Sequence, residues 1–270
     1  MVVQHNLSAM NTNRQMGVVT SALQKSTEKL SSGYKINRAG DDAAGLSISE
    51  KMRSQIRGLN KASDNAQDGI SLIQVAEGAL NETHSILQRM NELATQAAND
   101  TNTSVDRQSI KDEIEQLNAE LDRISTTTQF NKQDLLTGKF SGKLQVGALE
   151  GQTMDVKISL AVSAKGLKVS AVEVSTNAKA GAAMQSIQDA IESVSKQRSK
   201  LGAIQNRLEH TINNLDTNAE NTQAAESRIR DTDMADEMVQ YSKNNILSQA
   251  GQSMLAQANQ QTQGVLSLLG

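Results

Sequence analysis

The chain has 270 residues and a formal net charge of −3, so its length permits one or two domains and its charge provides no basic face for nucleic acid. It contains no proline or cysteine and only two tyrosines and two phenylalanines. The missing cysteine excludes disulfides and thiolate metal sites, and the scarcity of aromatic anchors disfavours a compact core of large side chains. The composition favours long helices and argues against most globular enzymes.

Both ends of the chain combine low charge with apolar stripes. Residues 1–24 carry one formal charge, Arg14, and residues 238–270 carry one, Lys243. Apolar residues recur at spacings of three and four, which is typical of amphipathic helices that dock on a partner. We expect each end to stay disordered until it meets the other end or neighbouring copies of the chain. The predicted polymerisation residues are Leu7, Met10, Val19, Leu23, Leu247, Met254, Val265 and Leu268.

The N-terminal sequence lacks the basic and apolar regions of a secretory signal peptide, and no run of eighteen apolar residues occurs in the chain. We therefore expect that any export bypasses a cleaved signal peptide. The many glutamines and asparagines make the terminal stripes too polar to span a bilayer, so membrane insertion is not expected.

The sequence SGYKINRAGDDAAGLSIS, at residues 32–49, interrupts the helical pattern. Its glycines do not match a phosphate-binding motif, and its paired aspartates lack the further ligands that a cation site needs. We interpret it as a joint, in which glycines break one helix and aspartates start the next. The segment SRIRDTDMADEM, at residues 227–238, is its predicted counterpart, and Arg38 is expected to face an aspartate there. The predicted joint residues are Gly40, Asp41, Asp42, Gly45, Asp231 and Asp233.

Two helices are predicted for the first half of the middle region. Apolar residues from Ala66 to Ala97 recur at spacings of three and four, which predicts one long helix. The sequence NDTNT ends that helix, and Thr103 with Asp106 can form a capping box for the next one. A second apolar seam runs from Ile110 to Ile124, so a helical hairpin is expected.

From Gly138 the pattern changes to alternating apolar and polar residues with frequent glycines, which predicts two to four short strands reaching as far as Val169. Near Lys179 the helical period returns, and its apolar seam from Ile187 to Ile229 predicts a helix of about forty residues. The expected fold is mainly α, a long antiparallel helical rod or coiled-coil bundle with a small β-hairpin region.

No catalytic, cofactor-binding or metal-binding residues are predicted. His5, His84 and His210 are far apart in sequence, and we interpret them as surface or edge residues. Residues 231–237 match a calcium-binding loop at three positions only, so a capped helix start is the preferred interpretation. We interpret the methionines as packing residues.

Several motifs resemble those of the bacterial flagellins and occur in that family's order. They include LSSGYKINRAGDDAAGLSISEKMRSQIRGL, NAQDGISLIQVAEGALNE, LQRMNELATQAAND, the pair Phe130 and Asn131, and SRIRDTDMADEM. The resemblance covers nearly the whole chain. About forty residues stand where the family usually inserts large variable outer domains, so the chain resembles a short form.

The resemblance implies an extracellular filament subunit with a terminal coiled-coil domain, residues 1–44 and 230–270, whose helices form a coiled coil in the assembled filament. It implies a rod domain from residues 45–177 and 178–229. Export would use the flagellar type III channel. The implied partners are further copies of the chain, an export chaperone, the filament cap and the hook-junction proteins.

The resemblance also implies recognition by the host flagellin-sensing Toll-like receptor. In the family, this receptor binds the helix that contains the LQRxxELAxQ pattern and the helix that follows. Ordinary contact between subunits is the alternative role for the same positions, and both roles can hold. The matching residues are Gln88, Arg89, Leu93, Gln96 and Glu113.

Two alternatives to a filament subunit stay open. A hook-filament junction protein shares similar ends, and a secreted helical adhesin or effector could insert its amphipathic ends into a membrane. The few lysines and arginines at the ends argue against membrane insertion. An enzyme is disfavoured because catalytic flagellins carry their activity in the outer insert that is missing here.

Overall fold

The computed structural model describes residues 6–266 and, of their side chains, those of residues 6–261. The contacts divide the chain into unit 1, Met1–Ser54 with Asn221–Gly270, and unit 2, Gln55–Glu220. The predicted mainly α fold with a small β-hairpin is confirmed. The helices are α1 (Leu7–Ser32), α2 (Ala43–Ala97), α3 (Ser104–Thr127), α4 (Asn177–Arg230) and α5 (Met234–Leu266), and the strands are β1 (Gln129–Phe130), β2 (Gln133–Asp134), β3 (Phe140–Gln145) and β4 (Thr153–Ile158).

The start of α3 has the capping box that the sequence predicts. The side-chain oxygen of Thr103 accepts a hydrogen bond from the backbone N–H of Asp106, and Asp106 accepts one from the backbone N–H of Thr103 at 2.9 Å. The Thr103 hydroxyl also donates to the Asp106 carboxylate at 2.7 Å. These hydrogen bonds, first of all the one from the hydroxyl, hold the pKa of Asp106 below the usual aspartate range.

The apolar seams of unit 2 form one large core and a small separate cluster that contains Leu59 and Leu215. Fully buried in the large core are Leu80 and Leu87 of α2, Leu121 of α3 and Leu201 of α4. Such close packing of large aliphatic side chains is the main stabilising term of a domain. The helical seams predicted from the sequence therefore mark the interior of unit 2.

The β-hairpin closes one part of this core. β3 and β4 pair antiparallel, with Phe140 opposite Ile158 and Gln145 opposite Thr153. Every second residue of β4 is buried, including Ile158. The predicted strand ending at Val169 is wrong, because Leu167 and Val169 lie in turns and are buried there. The N–H of Leu167 donates to the Ser163 carbonyl, and that of Val169 donates to the Ala164 carbonyl.

Two features of unit 2 differ from the sequence expectation in length or number. α4 spans 54 residues instead of about forty, because it begins at Asn177, ahead of the predicted seam, where Ala180 and Ala183 are also buried in the core. β1 and β2 were not predicted. They are joined by a tight turn in which Asn131 and Lys132 have φ angles of 48° and 63°, the left-handed values of a short hairpin turn.

In unit 1, α1 and α5 pack antiparallel. Asn6 caps α1 by accepting from the Ala9 N–H at 3.0 Å and donates to the Ala258 carbonyl at 2.9 Å. At the other end of the pair, Lys29 Nζ lies 3.4 Å from Glu237 Oε2. In the described residues the two low-charge segments are helical and supply a partner for each other, which is one of the two routes to order expected from the sequence. No described helix is long and apolar enough to cross a membrane.

Candidate assembly interface

The helices α1 and α5 meet along a narrow seam. Half-buried or buried residues recur on both helices at spacings of three and four, the pattern that faces a partner helix. Several positions are small or polar, and Gly251 brings α5 close to Met16, whose Cγ would lie 3.8 Å from a Cβ at that glycine. The seam residues are Met16, Val19, Leu23 and Ser26 on α1 and Tyr241, Asn244, Ser248, Gly251, Leu255 and Ala258 on α5.

The outward faces of the same two helices carry large apolar side chains in water. Leu7 is 70% exposed and Ile246 is 66% exposed. Most of the exposed large apolar residues of the described chain lie in unit 1, whereas Ile36 and Ala258 are its only buried apolar residues among those described. Exposed large apolar side chains concentrated in one part of a molecule mark an interaction surface. We call it the outer face, formed by Leu7, Met10, Val18, Met234, Met238, Val239, Ile246, Leu247 and Met254.

The predicted polymerisation residues divide between these two surfaces. Val19 and Leu23 are half-buried in the seam within one chain. Val265 lies outside the described side chains and Leu268 outside the described residues. Val18, Val239 and Ile246 were not predicted. The prediction followed a single apolar stripe along each helix, and these residues lie outside that stripe. The predicted residues on the outer face are Leu7, Met10, Leu247 and Met254.

The joint is a short antiparallel bridge between the two segments that connect the helices. The backbone N–H of Lys35 donates to the Arg230 carbonyl at 2.7 Å, and that of Thr232 donates to the Gly33 carbonyl at 2.9 Å. Tyr34 lies opposite Asp231 in this bridge. The predicted joint residue Asp231 thus contributes backbone pairing.

Two of the other predicted acids, Asp42 and Asp233, start helices. Asp42 Oδ1 accepts from the Gly45 N–H at 2.8 Å, and Asp233 Oδ1 accepts from the Ala235 N–H at 2.9 Å. These bonds satisfy backbone donors that have no partner inside α2 and α5. Gly45 lies in the first turn of α2, where a Cβ would lie 2.4 Å from Asp42 Oδ2.

The glycine that ends α1 is Gly33, which is not among the predicted joint residues. It has a φ of 75° and caps the helix by donating to the Lys29 carbonyl. Gly40 lies in the following turn and is not among the glycines with positive φ. The helix break therefore begins seven residues before the predicted glycine, because left-handed backbone is needed at Gly33.

The expected partner of Arg38 is wrong. Its guanidinium Nε lies 2.9 Å from Glu28 Oε1 on α1, instead of facing Asp231 or Asp233. The backbone N–H of Arg38 donates to Asp41 at 3.0 Å and holds the pKa of that carboxyl below the usual aspartate range. The connecting loop is thereby folded back onto α1.

Arg230 is the joint residue that sequence reasoning missed. Its Nη1 lies 2.7 Å from Glu50 Oε1, and its guanidinium carbon lies 4.8 Å from the centre of the Tyr34 ring. The side chain is only 13% exposed, so both contacts are partly shielded from water. Nearby, the hydroxyl of the buried Ser49 donates to Glu226 Oε1 at 2.8 Å. No spacing in the sequence links these residues, which come together through the pairing of α2 with α4 within unit 1.

The predicted receptor-binding residues lie on α2 and α3 in unit 2. Arg89 Nη2 lies 2.9 Å from Glu113 Oε1, and its Nη1 lies 3.2 Å from Glu92 Oε2. The hydrogen bonds with Glu113 and then Glu92 raise the pKa of Arg89. Gln88 and Gln96 are exposed, but Leu93 is 2% exposed and belongs to the core.

The described residues offer little catalytic chemistry. No group of three or more potential metal-ligating side chains occurs among them. His210 is exposed, and the half-buried His84 pairs with Gln88 at 3.1 Å between Nε2 atoms. His5 lies outside the described residues. The arrangement is suited to contact with other molecules through surfaces.

Comparisons with known proteins point to one family at both ends of the chain. The families described as bacterial flagellin N-terminal helical region and bacterial flagellin C-terminal helical region match residues 3–141 and 184–269. A flagellin of Halalkalibacterium halodurans is 56% identical and one of Bacillus subtilis is 52% identical, each aligned over 100% of both chains. The crystal structure of Bacillus cereus flagellin superimposes with a TM-score of 0.51 at 33% identity, covering 60% of this chain and 94% of that one.

Proposed function

Because the chain belongs to the bacterial flagellin family, it is a structural subunit of the flagellar filament, and we propose that the outer face of α1 and α5 is the surface through which it polymerises. The family is structural and not enzymatic, and its filament is the extracellular part of the flagellum. The observation that carries the proposal is the concentration of exposed apolar side chains in unit 1.

The energetics favour association of many copies. Burying one large aliphatic side chain contributes about 1.5–3 kcal/mol. The free energy gained from several such contacts per subunit therefore exceeds the free-energy cost of the translational and rotational freedom that a subunit loses on association. An antiparallel α1–α5 pair presents these side chains along its length. In the proposed assembly, pairs from neighbouring subunits pack around a common axis and form a coiled coil.

Seeded elongation tests this proposal. Purified full-length chain is added to filament fragments, and growth is followed by light scattering and electron microscopy. Val18→Asp with Ile246→Asp is expected to lower the elongation rate at least about a hundredfold, because unpaired charges would be buried. Val105→Asp is the control, since Val105 is 72% exposed on α3 in unit 2.

Two results would contradict the proposal. If the double variant elongates like the unchanged chain, the outer face is not the polymerisation surface. If the unchanged chain does not elongate seeds at all, a hook-filament junction protein or a secreted effector becomes the better interpretation.

We further propose that the subunit leaves the cell unfolded through the flagellar type III channel and keeps its N-terminal sequence. The absence of cysteine supports this route, because no disulfide can block a threaded chain. The intact mass of the extracellular subunit should equal that of the subunit retained in cells with a closed export gate. A lower extracellular mass that corresponds to a removed N-terminal segment would contradict the proposal.

Before polymerisation, an export chaperone is proposed to cover the outer face, and the filament cap and hook-junction proteins are proposed to contact it at the filament ends. The support is the exposed apolar surface, which would otherwise associate prematurely. Hydrogen exchange of α5 should slow when the chaperone is added. Unchanged exchange throughout α1 and α5 would argue against this role.

A second proposed role is binding of the host flagellin-sensing Toll-like receptor by the α2–α3 face. Arg89 and Glu113 support it, because Nε and Nη2 of Arg89 both lie within about 3 Å of Glu113 Oε1 and so hold the planar guanidinium at the surface. Arg89→Asp should weaken binding of the free subunit to the receptor ectodomain at least about tenfold. Lys61→Asp, at an exposed ion pair elsewhere on α2, is the control.

Leu93 contributes to this face only indirectly, since it is buried. If Arg89→Asp leaves receptor binding unchanged but slows seeded elongation, the face is a subunit contact and not a receptor site. If neither measurement changes, the assignment of both roles to this face is incorrect.

A further inference from the structure

All of the sulfur in this chain belongs to methionine thioethers. The sequence has ten methionines but no cysteine and no tryptophan, so methionine is its most easily oxidised side chain. The expectation that methionines serve as packing residues holds for Met90 and Met154, which are 0% and 8% exposed in unit 2. It is wrong for four others in unit 1, whose exposures range from 48% to 64%. These are Met10, Met234, Met238 and Met254.

These four methionines lie at both ends of the α1–α5 pair. The contacts of Asn6 with Ala258 and of Met16 with Gly251 place Met10 and Met254 at the same end. Met234 and Met238 lie in the first turns of α5, at the opposite end, where Lys29 pairs with Glu237. The outer face therefore carries accessible sulfur at each end of its length.

We propose that Met10, Met234, Met238 and Met254 form a reversible oxidation site that blocks polymerisation of the free subunit, an inference that rests on the proposed role of the outer face. The oxidant class is a hydroperoxide. Its O–O bond breaks, one oxygen passes to the methionine sulfur to form a sulfoxide, and hydrogen peroxide leaves the other oxygen as water. The sulfur loses two electrons, and the peroxide gains them.

The reverse reaction requires a dithiol-dependent sulfoxide reductase. The sulfoxide oxygen leaves as water, and the dithiol is oxidised to a disulfide. The chain has no cysteine of its own to intercept the oxidant or to form a mixed disulfide. Oxidation and reduction on the outer face therefore both depend on external reagents, the hydroperoxide and the dithiol-dependent reductase.

Oxidation changes the surface in the direction that opposes assembly. A sulfoxide is polar and accepts hydrogen bonds, so burying it without a donor is unfavourable where burying a thioether is favourable. Oxidised subunits should therefore be rejected by the growing filament. Subunits already assembled should be protected, because the same contacts exclude the oxidant from the outer face.

The first experiment measures selectivity and does not depend on polymerisation. Free full-length chain is treated with hydrogen peroxide, and peptide mass mapping follows the oxidation of each methionine with time. The four outer-face methionines are expected to react at least about tenfold faster than Met90 and Met154. Equal rates for the two sets would overturn the proposed site.

The second experiment measures the consequence for assembly. Selectively oxidised chain should elongate filament fragments at least about tenfold more slowly than untreated chain, and a methionine sulfoxide reductase should restore the rate. The variant with all four outer-face methionines changed to leucine should show the same rate before and after peroxide, whatever that rate is. Met154→Leu, the control, should remain as sensitive as the unchanged chain.

The outcomes separate this inference from the proposed function. If untreated chain elongates and selectively oxidised chain elongates equally well, the oxidation site is overturned while the polymerisation surface stands. If untreated chain fails to elongate, the proposed function itself fails. If oxidation stops elongation and the reductase does not restore it, the proposed reversible oxidation site is also overturned.

Discussion

Units 1 and 2 are both made mainly of long helices. Unit 2 buries its large apolar side chains, whereas the described part of unit 1 exposes many of its own. In unit 2, residues such as Leu80, Leu87 and Ile187 are fully buried in one core. In the described part of unit 1, Ile36 and Ala258 are the only buried apolar residues, while Leu7 and its neighbours face solvent. Helical propensity therefore forms both units, but only unit 2 contains the core that stabilises it.

Polar contacts hold unit 1 together where a core is lacking. The bridge at Tyr34 and Asp231, the Arg230 ion pair and the capped start of α5 are mostly local or partly exposed. A typical hydrogen bond contributes only about 0.5–1.5 kcal/mol net, so unit 1 should open more easily than unit 2. A subunit that joins a polymer benefits from ends that can adjust to their neighbours.

The largest expected contrast comes from truncating one leucine in each unit. Leu201→Ala should lower the free energy of unfolding by about 2–5 kcal/mol, because Leu201 is fully buried in unit 2. Leu247→Ala should change the stability of the free subunit by no more than about 0.5 kcal/mol, since this side chain is exposed. Urea titration measures both. Equal losses would show that the outer face already packs within one subunit.

The next effect concerns the joint. Arg230→Met should destabilise the local structure by about 1–3 kcal/mol, because the 2.7 Å ion pair between Arg230 and Glu50 is lost and Tyr34 loses the guanidinium stacked on its ring. Hydrogen exchange should quicken at Lys35 and Thr232 while unit 2 stays unchanged. The exposed Arg14→Met is the control, and similar exchange in the two variants would remove Arg230 from the joint.

A smaller effect is expected at the start of α5. Asp233→Ala removes the acceptor for the Ala235 N–H and should cost about 1 kcal/mol of local stability. Asp233→Asn is the matched control, since asparagine also caps helices well. Circular dichroism during thermal unfolding compares the variants. A loss as large in Asp233→Asn would mean that charge, and not capping, matters at this position.

The smallest expected effect is a pH dependence in unit 2. The pKa of Asp106 is lowered in the folded chain by the Thr103 hydroxyl, so its contribution to stability is present above the unfolded pKa. That contribution is lost as the pH falls through the lower, folded pKa. From about pH 5 to about pH 2, Asp106→Asn should lose less stability than the unchanged chain. Parallel losses in the two proteins would exclude the capping box as a source.

The sequence predicted elements well where one seam dominates. The run from Ala66 to Ala97 gave a correct helix, and the capping box at Thr103 was identified from two residues. It failed where two interpretations share one pattern. The alternation at Leu167 and Val169 resembles a strand, but turns produce the same burial.

The joint shows which contacts of a functional region can be predicted from the sequence and which cannot. Its location and the roles of Asp42 and Asp233 as helix starts follow from local chemistry, and so they were predictable. Arg230 was not, because its contacts with Glu50 and Tyr34 join residues about 180 and 196 positions apart. The predicted partner of Arg38 was wrong for the opposite reason, since its actual partner, Glu28, is only ten residues away along the chain.

The sequence by itself determined that the chain forms long helices, that its ends are apolar and nearly uncharged, and that its membership is in the flagellin family. These properties depend on composition and local spacing. The tertiary structure alone decided which apolar residues of the ends are used within one subunit. Val19 enters the seam and Val18 the outer face, although both are valines and adjacent, because the antiparallel pairing of α1 with α5 fixes the rotation of each helix.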